Sequence, residues 1–108
     1  MEQYKIVISE NAKQDIINLS NVILYDFASP LTAFKYIKGL YKQINTLKFG
    51  AESYSIQTRA FFQQYGFNVR KITFKKMSII YLIVNQYVYI KAIVPTSTIN
   101  DYSNRLKH

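Results

Sequence analysis

Ala33, Ile37, Leu40, Ile44 and Leu47 recur at alternating intervals of four and three residues, as do Ala12, Ile16, Leu19 and Ile23 before them. That spacing gathers each set into one stripe along an α-helix. Start signals precede both. Ser9 can cap the first helix, with Glu10 well placed in its first turn. Ser29 followed by Pro30 opens the second, because proline suits the first helical position. The first helix runs to about Tyr25–Phe27, and Gly50 is a stop for the second, since glycine tolerates the left-handed conformation after a helix. So short a link forces a helical hairpin with two apolar stripes. Neither stripe is satisfied until a further layer covers it.

The rest of the chain supplies that layer. Tyr4 to Ile8 alternates as a short strand, with Tyr4, Ile6 and Ile8 on one side. Phe67 to Phe74 reads as a strand with a bulge, because its apolar parity shifts between Val69 and Ile72. Ser78 to Val84 is almost wholly apolar, as expected of a central strand covered on both sides. Asn85-Gln86 forms a tight turn, Tyr87 to Val94 returns, and Pro95 ends the run. Between hairpin and strands, Ala51 to Ser55 reads as loop, and Arg59-Ala60-Phe61-Phe62 as a short helical turn or a partly buried loop ending at Gly66. The polar tail from about 96 is irregular or a short terminal helix. The predicted architecture is α+β. An N-terminal strand and a two-helix hairpin pack on one face of an antiparallel sheet formed by the last three strands, and the first strand joins at an edge. The 108 residues are expected to form a single domain.

Composition narrows the chemistry. An apolar fraction of 49% and an aromatic fraction of 16% are too high for a disordered chain. There is no cysteine, and His108 is the only histidine, so disulfides, thiolate or imidazole metal sites and a histidine base within the fold are excluded. Acidic residues are scattered and no glycine-rich phosphate loop occurs, so no metal or other cofactor is expected. No apolar run approaches the roughly 18–20 residues of a membrane span. The opening Met1-Glu2-Gln3-Tyr4-Lys5 lacks the layout of a signal peptide, so a cytoplasmic protein without a membrane partner is expected. Lys and Arg total 14 against 6 acidic residues, a net charge of +8, which points to nucleic acid, ribosome or an acidic protein as partner.

Tyr4-Lys5-Ile6-Val7-Ile8-Ser9 with Ala12 and Asp15-Ile16, then Ser29-Pro30 with Ala33, then Gln43-Ile44 and Leu47, form an ordered set. Phe67-Asn68-Val69-Arg70-Lys71-Ile72, Ile79 to Val84 and Val88 to Ile93 complete it. Over residues 4–95 this set resembles the RelE/ParE toxin superfamily. The resemblance implies the toxin of a type II toxin–antitoxin system, a growth inhibitor held inactive by a cognate acidic antitoxin whose extended or helical segment wraps it. RelE-like members cut messenger RNA in the ribosomal decoding site, and ParE-like members poison DNA gyrase.

RNA cleavage needs a base for the 2′-hydroxyl, cations for the phosphorane and an acid for the leaving oxygen. Lys71 matches the position of a RelE-side catalytic lysine, and Tyr81 and Arg70 are further catalytic candidates. Against this, Ser78 stands where the RelE pattern carries an arginine, and Val94-Pro95-Thr96-Ser97-Thr98 brings no basic residue. Tyr102 is the one stand-in for the tail tyrosine. These departures favour the ParE-like side. Arg59, flanked by Phe61 and Phe62, together with Arg70, Lys75 and Lys76, are candidates for contacts to a target or to nucleic acid. Lys13, Lys35, Lys38 and Lys42 read as solvated helix faces. The alternatives are a ribosome-dependent, metal-independent endoribonuclease of RelE type, or a non-toxic nucleic-acid- or ribosome-binding relic of the fold.

Overall fold

A computed structural model describes residues 3–106, with side chains to Tyr102; residues 1–2 and 107–108, His108 among them, lie outside it. The chain runs β1 (Lys5–Ile8), α1 (Glu10–Phe27), α2 (Pro30–Asn45), α3 (Leu47–Gly50), a 3-10 turn (Ala51–Ser53), α4 (Ala60–Gln63), β2 (Arg70–Phe74), β3 (Met77–Val84), β4 (Tyr87–Pro95) and α5 (Thr96–Leu106). The sheet order is β1-β4-β3-β2. β2, β3 and β4 are antiparallel as expected, and β1 joins at the edge parallel to β4, so the whole sheet is mixed.

Both predicted caps form. The Ser9 hydroxyl accepts from the Ala12 N–H and the Ser29 hydroxyl from the Thr32 N–H, with Pro30 opening α2. The stripe residues Ala12, Ile16, Ile23, Ala33, Leu40 and Ile44 are buried, and Leu19 and Ile37 partly so. Of these, Ala12, Ile16, Leu19, Ile37, Leu40 and Ile44 meet Ile72, Ile79, Tyr81, Val88, Ile90 and Ile93 on the first face of the sheet. α2 ends earlier than expected, at Asn45, and Leu47 packs from α3 instead. Gly50 ends α3 with φ −128°, so its stop does not use the left-handed region.

α1 does end in that region, at Ala28 (φ 48°, ψ 34°), whose N–H donates to the Leu24 carbonyl. A Cβ there costs about 1 kcal/mol or more, which glycine avoids. Ala28→Gly is therefore expected to stabilise the protein by about 0.5–1 kcal/mol. A thermal midpoint raised by several degrees in calorimetry is the expected reading, and a lowered one would show that Ala28 is not strained.

One expectation needs correction. β2 contains no bulge and starts at Arg70, because Asn68 turns the chain with φ 55°. Val69 and Ile72 differ in parity because they face opposite sides, each into its own core. The irregularity lies in β4. Ile80 pairs with Ala92 but Tyr81 with Ile90, leaving Lys91 as the extra residue. The Asp15 carboxylate on α1 accepts the Ile93 N–H beside it, at 2.9 Å. The other face of the sheet also carries a core, as the apolar run of β3 implies. Phe61 and Phe62 of α4 and Ile99 of α5 pack there on Val69, Ile80 and Ala92.

Candidate functional site

α1 and α2 meet through their buried stripes, yet α2 carries a second apolar row that the sheet does not cover. Pro30, Phe34, Ile37 and Tyr41 are three or four residues apart and line the seam between the helices on its outer side. With Ser20 and Leu24 of α1 they form a groove of about 780 Å³ whose floor is apolar and whose rim is Lys38, Lys42 and Asn45. Phe34 is 63% exposed, Leu24 40% and Tyr41 39%. Leu31, Phe27 and Tyr25 extend the exposed apolar surface around the hairpin tip. So large an apolar surface rimmed by charge marks an interaction site. Lys38 lies with its ammonium 6.0 Å from the Phe34 ring centroid, which places its charge at the groove's lip. Among the described residues the one ion pair is Lys13 with Glu10, so the rim lysines keep their charge for a partner. The groove suits an amphipathic helix with an apolar row and acidic flanks. The sequence reading counted Lys38 and Lys42 as solvated faces and did not single out Phe34 or Tyr41. The signal was present in the 34-37-41 spacing, but the stronger 33-37-40-44 stripe overlaps it.

The candidates chosen from sequence are spread apart. Tyr81 lies in the core with no exposed surface, and its hydroxyl donates to the Ala51 carbonyl at 2.7 Å. Burial pushes its pKa up, only partly offset by the Arg70 guanidinium. It therefore holds its proton, and in this structure it presents no exposed face to a substrate. Arg70 points the same way and donates to the carbonyls of Glu52 (3.0 Å) and Tyr54 (2.6 Å). The loop after α3 is thus tied down by Arg70 and Tyr81 from the sheet, and by Tyr4, which donates to Glu52. Lys71 pairs with Ile80 on the opposite face from Arg70, half-buried. Ser78 is fully buried and shares a hydrogen bond with Thr96 (2.8 Å), so no long cation fits in its place.

Lys75 and Lys76 form the β2–β3 turn, where the Lys75 ammonium lies 5.1 Å from the Tyr36 ring and 5.7 Å from that of Phe74. Arg59 stands at the start of α4 over the Phe62 ring, 5.9 Å away. Tyr102 packs edge-on against Phe61 at 5.5 Å, so it anchors α5. Arg70 and Lys71 face opposite ways, the turn lysines sit at the end of a hairpin, and Arg59 rests on a helix outside the sheet. Among the described residues no group of His, Cys, Asp and Glu could hold a metal ion. No helix of the described residues is long and apolar enough to cross a membrane.

No family model matches this sequence, and no curated protein matches it. Solved structures do. A chain of the "Chromosomal ParDE TA system from P. aeruginosa" superposes with a TM-score of 0.71 over 86% of this chain and 96% of that chain, at 15% sequence identity. With that likeness and the element order above, the chain has the RelE/ParE-like α+β fold.

Proposed function

We propose that this protein is the toxin of a type II toxin–antitoxin pair, ParE-like in acting on a protein target such as DNA gyrase rather than by cutting RNA. A small acidic antitoxin lies along the α1–α2 groove and holds it inactive. The observation that carries this reading is the groove: an apolar floor of about 780 Å³ with a lysine rim, on a fold shared with a chain of a ParDE system. The net charge of +8 speeds encounter with an acidic partner, while Phe34, Ile37 and Tyr41 provide the apolar anchors. A RelE-type cut is disfavoured by the same geometry. Tyr81 is sealed in the core, Arg70 is spent on the loop carbonyls, and Ser78 is short, neutral and buried. Lys71 and Arg70 both keep some surface, but the Arg70 guanidinium is bound to the loop carbonyls and faces away from Lys71, and one cation does not stabilise a phosphorane. Loss of a single preorganised donor typically costs about 10²–10³ in rate.

Expression of the chain in bacteria is expected to arrest growth, and co-expression of a small acidic protein from the adjacent reading frame to restore it. Purified protein should inhibit supercoiling by gyrase and leave a defined messenger uncut in a translation extract. Cleavage in the ribosomal A site, lost on Lys71→Ala, would replace this reading with the ribonuclease one. Unimpeded growth would reduce the protein to a non-toxic relic of the fold.

A further inference from the structure

Each helix of the hairpin carries two apolar rows. The inner rows rest on the sheet, and the outer rows stay in solvent. On α1 the outer row is Ile17, Ser20, Leu24 and Phe27, spaced by three, four and three residues, with Ile17 52% and Phe27 65% exposed. On α2 it is Pro30, Phe34, Ile37 and Tyr41, and the exposed Leu31 adjoins it at the hairpin tip. The two rows flank the seam, so the outer side of the hairpin is a pair of apolar ridges with a groove between them. A helix that is apolar on two sides is suited to being covered on both. The sheet supplies one cover, and no element of the described residues supplies the other.

Area sets the size of the missing cover. A fully exposed aromatic side chain presents about 200 Å², and an aliphatic one somewhat less. At their observed exposures, Ile17, Leu24, Phe27, Leu31, Phe34 and Tyr41 together offer on the order of 700 Å². Pro30 and the aliphatic stems of Lys38 and Lys42 bring this to the roughly 800 Å² that each partner contributes to a stable protein interface.

We infer that the free protein pairs with a second copy of itself through this face, the two hairpins forming a four-helix bundle about a twofold axis. Under that symmetry each copy presents the same two ridges, and the α2 ridge of one lies along the seam of the other. Helices in such bundles cross at about 20°. No carboxylate lines the groove, and Lys38 and Lys42 stand at its rim, where they stay in water after pairing. Pairing therefore rests on apolar burial and works against charge, since each copy carries +8. A dissociation constant at the weak end for such an area, about 10 µM, is expected. The face is the one proposed for the antitoxin, but the pairing does not depend on that reading. The experiment below uses this chain alone, so its failure leaves the antitoxin reading standing.

Sedimentation equilibrium of the full chain, from about 5 to 200 µM and at 50 and 300 mM salt, measures the association. The mass should rise from monomer towards dimer with concentration. The dissociation constant should fall at least about threefold at the higher salt, because screening relieves the repulsion between like charges. Weaker association at high salt would mark bridging by a polyanion and overturn the proposal. Phe27→Asp and Phe34→Asp should each weaken pairing at least about 30-fold, since a twofold interface contains every substitution twice. Phe67→Asp puts the same charge on an exposed ring away from the hairpin and should pair as the parent does. The chain has no cysteine, so Lys38→Cys provides a single thiol at the middle of the α2 row. Near a twofold axis, a bismaleimide should couple it into a covalent dimer, whereas Lys76→Cys in the β2–β3 turn should stay uncoupled. A monomer at 200 µM and high salt, a dimer kept by both hairpin aspartate variants, or coupling through Lys76→Cys but not Lys38→Cys would each overturn the inference.

Discussion

Leu40→Ala is expected to lower the stability of the protein by about 2–5 kcal/mol, the range for deleting a large buried aliphatic side chain. Leu40 has no exposed surface and sits where α2 presses on the first face of the sheet. α2 reaches that depth because its neighbour is Gly39. A Cβ at Gly39 would lie 2.9 Å from Cζ of Phe74, a ring that is itself held edge-on by Tyr36 at 5.1 Å. With the helix already in contact on that side, it has little room to settle into the space a deleted isobutyl group leaves, so the cost should fall in the upper part of the range. Urea unfolding followed by circular dichroism measures it. The control is Leu31→Ala, which removes the same group from a site 61% exposed and should change stability by less than about 0.5 kcal/mol. A loss below about 1 kcal/mol for Leu40→Ala would mean that the hairpin does not rest on the sheet as described.

Charge placed in the helical groove should act in the opposite manner, sparing the fold and abolishing the complex. Phe34→Asp and Tyr41→Asp each introduce a carboxylate at an exposed site whose proposed occupant is acidic. Truncation of a central aromatic anchor typically costs 2–4 kcal/mol, about 30- to 1,000-fold in Kd. The carboxylate adds repulsion to that loss. Binding of the acidic product of the adjacent frame, followed by calorimetry, should therefore weaken by at least about 30-fold, with the melting temperature little changed. Lys38→Glu and Lys42→Glu should instead slow association chiefly, and the effect should fade as salt rises. If Phe34→Asp binds that protein as tightly as the parent does, the antitoxin lies elsewhere and the groove needs another occupant.

Local signals carried much of this fold. The two stripes, the Ser9 and Ser29 caps, Pro30 and the Asn85-Gln86 turn each depend on residues within one helical turn or one hairpin, and such contacts can be read in order along the chain. The all-apolar run of β3 announced that both of its sides would be covered, as they are. What covers the second side was less legible. Phe61, Phe62 and Ile99 are brought together from segments separated by β2, β3 and β4, and short helices such as α4 have no periodicity to betray them. The shift of parity at Val69 and Ile72 was a correct observation of a two-sided strand, attributed to a bulge that lies instead at Lys91.

The candidate site divides in the same way. Residue types alone established that no histidine, cysteine or carboxylate pair could run the chemistry, and that the chain is basic enough to seek an acidic or anionic partner. The regular pairing of β2 with β3 sets Arg70 and Lys71 on opposite faces, since adjacent residues of a regular strand diverge. Tertiary structure alone decided which polar groups remain free. Tyr81 and Arg70 are spent on the carbonyls of Ala51, Glu52 and Tyr54, because a loop laid against the sheet brings carbonyl groups that need donors. Phe34 and Tyr41 stay outside because the sheet can cover only one side of a helix, and a sequence does not say how far that cover extends. A stripe's presence is local information; its burial is a property of everything packed around it.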